Sequence, residues 1–278
     1  MHTLIFGANG QLGKDLRTIF SNAGTVTGVD LPEVDVADTD AVETLTQSEG
    51  PGLVVNAAAF TDVEAAEDHE PEAFRANEDG ARIVARAAAA QGIPIVYYST
   101  DYVFGGVKST PYDVDDETAP IGVYARSKLA GEVATREENP KHFIVRTAWL
   151  YGPGGNNFVE KILAAAESRP SLKVVEDEVG APTHTLDLAK ASAALAETEA
   201  YGVYHAVNGG ACSRYEFALA ILEETGSKTP IEPCGFDAFP TKAERPLYSV
   251  LSTQVLEEAT GFVMPQWRDA LHEYIARR

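Results

Sequence analysis

The sequence predicts an α/β fold of the Rossmann type: a doubly wound parallel sheet carrying a smaller C-terminal α/β substrate lobe. Three observations predict it. Five short, unbroken apolar runs lie between Thr3 and Arg146, longer segments of helical pattern separate them, and a glycine-rich turn, GANGQLG, joins the first run to the first helical segment. Runs of that kind are strands buried on both faces, and helices between such strands imply parallel βαβ crossovers. A glycine turn at the first strand-to-helix junction is where a doubly wound sheet receives a nucleotide.

Taken in order, TLIF (residues 3–6) is the first strand, followed by a helix that Gly24 can stop. VTGV (26–29) is the second, ending at Asp30, and LVVNAAA (53–59) is the third. Pro71 suits the first turn of an Ala-rich helix running through Ala90, and Gly92 can end it. IPIVYYS (93–99) and FIVR (143–146) are the fourth and fifth strands. After Trp149 the pattern loosens. A helix from about residue 157 to 167, a strand near 173–175, a helix after Thr183 and a strand VYHAV (203–207) precede a helix opened by the capping box Ser213-Arg-Tyr-Glu216. Four prolines between Thr229 and Pro246 predict a loop there. The expected division is a dinucleotide-binding domain at 1–151, with 184–207 returning to it, and a substrate lobe at 152–183 and 208–278. Ligands should bind between the two.

Composition narrows the function. The 278 residues are 45% hydrophobic and 23% charged, enough for a real core. The balance of 22 basic against 42 acidic residues gives a net charge of −20. A field of that sign repels polyanions, so nucleic acid and anionic membrane are not expected as partners, and an anionic ligand must be held by local cations. The two cysteines, Cys212 and Cys234, form neither a disulfide framework nor a zinc motif. No apolar run reaches the roughly 18 residues of a membrane span, and no basic stretch precedes an apolar one at the start. A cytoplasmic location is expected.

Two constellations carry chemistry. In the glycine turn, Gly7, Gly10 and Gly13 let the backbone of Asn9, Gln11 and Leu12 approach a pyrophosphate, and the following helix supplies amide donors and its dipole. Asp30 stands 17 residues beyond Gly13, where a carboxylate accepts bonds from the adenosine ribose hydroxyls. Leu31, Pro32 and Glu33 offer no cation for a 2′-phosphate, so NADH is favoured, with NADPH as the other reductant. The second constellation is Ser99, Thr100, Tyr124 and Lys128. Tyr124 and Lys128 are spaced i, i+4 and share one helix face, and the ammonium is expected to lower the phenol's pKa for proton transfer.

The chain resembles the extended short-chain dehydrogenase/reductase family, and within it the dTDP-4-dehydrorhamnose reductases. The resemblance runs nearly end to end: GANGQLG, VNAAAFTDVEAAE, ANEDGA, YYSTDYVFGG, YARSKLAGE, RTAWLYGP, NNF, GAPT and the RP pair at Arg245 and Pro246. It implies hydride transfer from NADH or NADPH to the C4 ketone of dTDP-4-dehydrorhamnose, giving dTDP-L-rhamnose. Tyr124 would donate the proton, Lys128 would hold the nicotinamide ribose, and Thr100, or else Ser99, would bond the ketone oxygen. Asp35 and Val36 would contact adenine, and Ala57, Ala58 and Ala59 would wall the pyrophosphate. Thr61, Val63, Asp101, Tyr102 and Trp149 would meet the sugar or the nicotinamide ring, and Asn157 and Arg245 the nucleotide diphosphate. Asn77 would be a structural polar residue beneath the sheet.

The sequence departs from the family pattern at Ala125, Glu178 and Tyr248, where Gly, Gln and Asn are usual. A nucleotide-sugar epimerase or dehydratase on the same fold, and a non-catalytic subunit like that regulating methionine adenosyltransferase, are the alternatives. Tyr102 stands where dehydratases of the family place a second carboxylate, and retention of Tyr124 and Lys128 argues against the regulatory role. No metal site is expected from His69, His142, His184 or His205. The resemblance leaves a homodimer open.

Overall fold

The inner strands of the central sheet are apolar because they are covered on both sides, and the chain returns to the sheet through a helix every time. The computed structural model describes residues 1–278. In the sheet half, β1 (His2–Phe6), α1 (Gln11–Ser21), β2 (Thr25–Val29), α2 (Thr39–Glu49) and β3 (Leu53–Asn56) come first. Short helices α3 (Val63–Ala66) and α4 (Glu70–Phe74) follow, then α5 (Gly80–Ala90), β4 (Ile95–Thr100), α6 (Val123–Glu138) and β5 (His142–Thr147). Then come β6 (Leu150–Tyr151), α7 (Phe158–Ser168), β7 (Leu172–Val175), β8 (Val179–Gly180), β9 (Thr183–His184), α8 (Thr185–Ala196) and β10 (Gly202–His205). The chain ends with β11 (Cys212–Ser213), α9 (Arg214–Glu224), β12 (Ile231–Cys234), α10 (Gln254–Thr260) and α11 (Trp267–Arg277).

Six parallel strands form the sheet in the order β10-β5-β4-β3-β1-β2. The order reverses between β1 and β3, so the crevice at their C-terminal ends is the ligand position of a doubly wound sheet. One apolar layer joins Ile5, Val55, Val96 and Val145 to Leu12, Leu16 and Phe20 of α1 and Leu188 of α8. On the other face, Leu4, Phe6, Val54 and Ile95 pack on Val42 of α2 and Val84 of α5. A third core belongs to the lobe: Ile162 and Leu163 of α7, Phe217 and Ile221 of α9, and Trp267 and Leu271 of α11.

Several local expectations need correction. The third strand ends at Asn56, and Ala57–Ala59 continue as irregular backbone over the crevice. The helix expected from Pro71 to Ala90 contains a π-helical turn, Arg75–Asp79, between α4 and α5. The proline-rich segment is not all loop, because Ile231–Cys234 pairs with β7. Pro233 is tolerated since β12 has only that neighbour, and an edge strand can forgo one N–H. No helix is long and apolar enough to cross a membrane.

Candidate active site

Backbone shape prepares the crevice before any side chain acts. Gly7 has φ +78°, and a Cβ there would lie 2.5 Å from the Ala58 nitrogen; one at Gly13 would lie 2.1 Å from the Gly7 oxygen. Only glycine lets the first turn of α1 and the chain after β3 close this tightly. Gly10 caps α1 with no side-chain bond, and the first turn of α1 holds no acidic residue. In α2, α3, α7 and α9, by contrast, a side chain at the cap position accepts a backbone N–H. The amide donors of α1 therefore face the crevice unclaimed, which suits a pyrophosphate.

Asp30 lies beside this turn. Its Oδ2 accepts the Asn9 N–H at 2.9 Å and its Oδ1 the Leu31 N–H at 2.9 Å. A carboxylate has about four acceptor positions, so each oxygen keeps one for a ribose hydroxyl. Asp35 is gripped by Arg75 at 2.8 Å, and that hydrogen bond holds its carboxyl below the usual range. The neighbouring Val36 is buried against Gly80, where a Cβ would come within 2.7 Å of it. Residues of three separate segments thus line one slot, and they fit the adenosine diphosphate half of a dinucleotide.

The second group sits at the ends of β4 and β5. Gly122, with φ +88°, turns the chain into α6, and Glu67 accepts the Val123 N–H at 2.7 Å to cap it. Farther along α6, Glu132 makes a two-pronged bond to Arg146 of β5, at 2.9 and 2.8 Å, with both side chains buried. Loss of one partner would strand a buried charge, at about 3–5 kcal/mol. That pair fixes the helix carrying Tyr124 and Lys128 against the sheet. Asn77 adds a further tie: its amide oxygen accepts the Phe60 N–H, and its NH2 donates to the Phe60 oxygen and to Ser127 Oγ.

Lys128 is buried, with Nζ 4.2 Å from the centre of the Tyr97 ring. Burial lowers its pKa to about 7. Tyr124 is pushed up to about 12, by burial first and the Asp101 charge second. The expectation that the ammonium would lower the phenol is therefore overturned in the free protein, since desolvation dominates. A phenol held protonated at neutral pH is the form from which a proton can be donated. Thr100 Oγ1 donates to Asp101 Oδ1 at 3.0 Å and accepts the Tyr102 N–H at 3.2 Å, whereas Ser99 Oγ is buried without a partner.

The lobe closes the other side. Trp149 has a left-handed backbone, φ +46°, the one non-glycine residue of positive φ. The strain of such a residue persists only where its surroundings impose it. They do: a Cβ at Gly180 would overlap the indole, and the Arg214 guanidinium lies 3.4 Å from the ring centre. Arg214 in turn donates to buried Glu178 Oε1 at 3.1 and 2.9 Å. Tyr102 meets Tyr124 edge-on at 6.2 Å between ring centres. Burial pushes the Tyr102 phenol well above its ordinary value, while Arg214 and Arg245 pull it the other way.

The expected residues thus divide. Gly7, Asn9, Gly10, Gly13, Asp30 and Ala58 form one end of the crevice, and Thr100, Asp101, Tyr102 and Tyr124, one helical turn from Lys128, form the other. Asn157 is engaged within the protein: its Oδ1 caps α7 through the Glu160 N–H and its NH2 donates to the Gly152 oxygen and to Gln11 Oε1. Arg245 is paired with Glu64, beside Val63, and Thr61 is exposed nearby. Arg214 and Ser249 were not singled out as site residues in the sequence. No short-range pattern marks either, because each meets its partner only after the lobe has folded.

Residues 1–278 match the family described as RmlD substrate binding domain. The spore coat polysaccharide biosynthesis protein SpsK of Bacillus subtilis is 41% identical over 276 residues, covering 99% of this chain and 97% of that protein. The dTDP-4-dehydrorhamnose reductase of Mycolicibacterium smegmatis is 39% identical, covering 98% and 84%. A crystal structure of dTDP-4-dehydrorhamnose reductase from Bacillus anthracis in complex with NADP superposes with a TM-score of 0.97. It is 37% identical, with 100% of this chain and 99% of that one covered.

Proposed function

The chain belongs to the RmlD substrate binding domain family, and from that premise we propose that it is a dTDP-4-dehydrorhamnose reductase. It reduces the C4 ketone of dTDP-4-dehydrorhamnose with a reduced nicotinamide dinucleotide, giving dTDP-L-rhamnose. The observation that carries this reading is Tyr124, held protonated and edge-on to the Tyr102 ring just after Thr100, with buried Lys128 one helical turn away. The relatives named dTDP-4-dehydrorhamnose reductase support the substrate, and the NADP-bound relative supports the cofactor class.

In this reading residues 1–151 and 184–207 hold the cofactor, and 152–183 with 208–278 hold the sugar nucleotide. The α1 amides bind the pyrophosphate and Asp30 the adenosine ribose, with NADH the better reductant and NADPH usable. When bound, the nicotinamide supplies a hydride to C4. Thr100 bonds the ketone oxygen and fixes its direction. Tyr124 delivers its phenolic proton to that oxygen as negative charge develops there, the step at which a positioned acid contributes most. Lys128 bonds the nicotinamide ribose, and its charge stabilises the tyrosinate left behind. Trp149, backed by Arg214, excludes water on the lobe side. Arg245 leaves Glu64 for the diphosphate, whose two charges its fork matches better.

Two incubations test this. With dTDP-4-dehydrorhamnose and NADH, absorbance at the NADH band should fall with one reductant consumed per dTDP-rhamnose formed. With dTDP-glucose and NAD⁺, no 4-keto-6-deoxy sugar should appear, since neutral Tyr102 is a poor base for a C5 proton. No NADH consumption in the first tube, or keto sugar in the second, refutes the proposal.

A further inference from the structure

Around the Tyr124 end of the site, three arginines are each held by one carboxylate, and the three partners differ in exposure. The Glu132 side chain on Arg146 is fully buried and that of Glu178 on Arg214 is 8% exposed, whereas Glu64 on Arg245 is 41% exposed. Release of either of the first two would strand a charge away from water. Release of Glu64 would not, and an exposed pair of that kind adds little to stability. In a chain of net charge −20, Arg245 is therefore the cation that an incoming anion can take over.

Arg245 belongs to a strap, residues 240–247, with no helix or strand of its own. Leu247 anchors one end to the lobe, its oxygen accepting the Val179 N–H at 2.7 Å. Pro246 packs over Gly106, where a Cβ would come within 2.7 Å of it, and the Glu244 oxygen is 3.7 Å from the place of a Cβ at Gly122, two residues before Tyr124. The strap thus crosses from the lobe to the turn that opens α6. On the way it is tied to α3 and the residues just after it. Glu64 Oε1 takes Arg245, Glu64 Oε2 accepts the Lys242 N–H at 2.9 Å, and Lys242 Nζ reaches Asp68.

Building on the reductase reading, in which Arg245 meets the diphosphate, we propose that Glu64 is a specificity-determining residue: an internal anion that occupies Arg245 in the free protein and is displaced by the diphosphate of the sugar nucleotide. One anion replaces another. Glu64 Oε1 is released to water while Oε2 keeps the Lys242 N–H, so the strap holds its place as Arg245 turns. Arg245 exchanges a single carboxylate for a group of two charges that its planar fork can bond in two places. A monovalent anion such as chloride brings no more charge than the carboxylate it would replace, so the pair stays closed against it. The sign of the effect identifies the role: an anchor of the strap strengthens substrate binding, whereas an internal competitor weakens it.

The test is calorimetric binding of dTDP and, separately, of NADH to wild type, Glu64→Gln, Arg245→Gln, the double variant and Asp68→Asn. At low salt Glu64→Gln should bind dTDP about three- to fivefold more tightly than wild type, the range of one exposed ion pair. The gap should close toward about 1 M NaCl, where charges are screened beyond about 3 Å. In the Arg245→Gln background the Glu64 change should lose most of its effect. Asp68→Asn also removes one negative charge and loosens the strap without freeing Arg245, so it should not tighten dTDP. NADH binding should stay the same throughout. Glu64→Gln that binds dTDP no better than wild type, a tightening that survives in full without Arg245, the same tightening in Asp68→Asn, or a tightening of NADH instead, each overturns the proposal. Reduction of dTDP-4-dehydrorhamnose by the same proteins keeps the two readings apart. A wild type that reduces no sugar while Glu64→Gln tightens dTDP sinks the reductase reading and upholds the exchange; reduction without that tightening does the reverse.

Discussion

Tyr124 and Lys128 are four residues apart on one helix, whereas Asp101 and Ser249, which meet across the same cleft, are 148 residues apart. The two halves of the site are built at different ranges. In the sheet half, each functional group is placed by its own element and by parallel topology, which brings the C-terminal ends of β1, β3 and β4 to one edge. In the lobe, Trp149 and Glu178 lie in short connections between strands and Arg214 opens α9. They hold position through one another: guanidinium on indole, carboxylate on guanidinium, and Gly180 leaving room for the ring. The difference teaches where each property should reside. A reacting group gains from a rigid helix backed by a buried ion pair, while a substrate wall can be made from mutual packing.

The largest expected effect tests whether the chemistry resides in the sheet half. Tyr124→Phe keeps the ring and its edge contact with Tyr102 but removes the O–H. A loss of about 10² to 10⁴ in kcat is expected, with KM for the sugar nearly unchanged, because the ground-state contacts survive. A Phe enzyme within a few-fold of wild type would mean that the proton comes from elsewhere, and the division between the halves would fall with it.

The same division explains what could be read in the sequence. The strands of the sheet were legible because a strand covered on both faces must be apolar throughout, a rule that needs no partner to be known. The glycine turn was legible because Gly7 and Gly13 are required by backbone contacts within one βα unit and with the chain after the neighbouring strand. The Tyr124 pKa went the wrong way because spacing reveals a nearby ammonium but not the burial that outweighs it. Asn157 also has a local role that the resemblance did not name: it is the N-cap of α7, and the cap uses its side-chain oxygen. The proline count concealed β12, since the edge position that excuses Pro233 is a tertiary fact. For Arg214 and Ser249 there was no local signal to find.

A second, smaller effect is expected in the lobe. Arg214→Lys keeps a positive charge beside Glu178 but loses the planar stack on Trp149 and the fork. KM for the sugar nucleotide should rise about tenfold, with kcat held within about threefold, as expected when uniform binding is removed. A variant that loses kcat instead would place part of the chemistry in the lobe and break the comparison.

The smallest effect sharpens the comparison inside the sheet half, at Asp30. Its carboxylate already accepts two backbone N–H groups, from Asn9 and Leu31, so its geometry is set before a cofactor arrives. With NADH it can accept the ribose hydroxyls; with NADPH it faces a 2′-phosphate, and like charges at that distance repel. Asp30→Ala removes both effects at once. The kcat/KM for NADH should fall while that for NADPH changes less or rises, so the preference ratio narrows by about 10-fold, the equivalent of one charge-assisted hydrogen bond. The KM for the sugar should not move, because the Asp30 carboxylate bonds Asn9 and Leu31 and no residue of the lobe. Measurement of both ratios on wild type and variant decides it. A wild type that strongly prefers NADPH would show that a cation reaches the 2′-phosphate despite Asp30, and would make this end of the slot depend on long-range assembly as the lobe does.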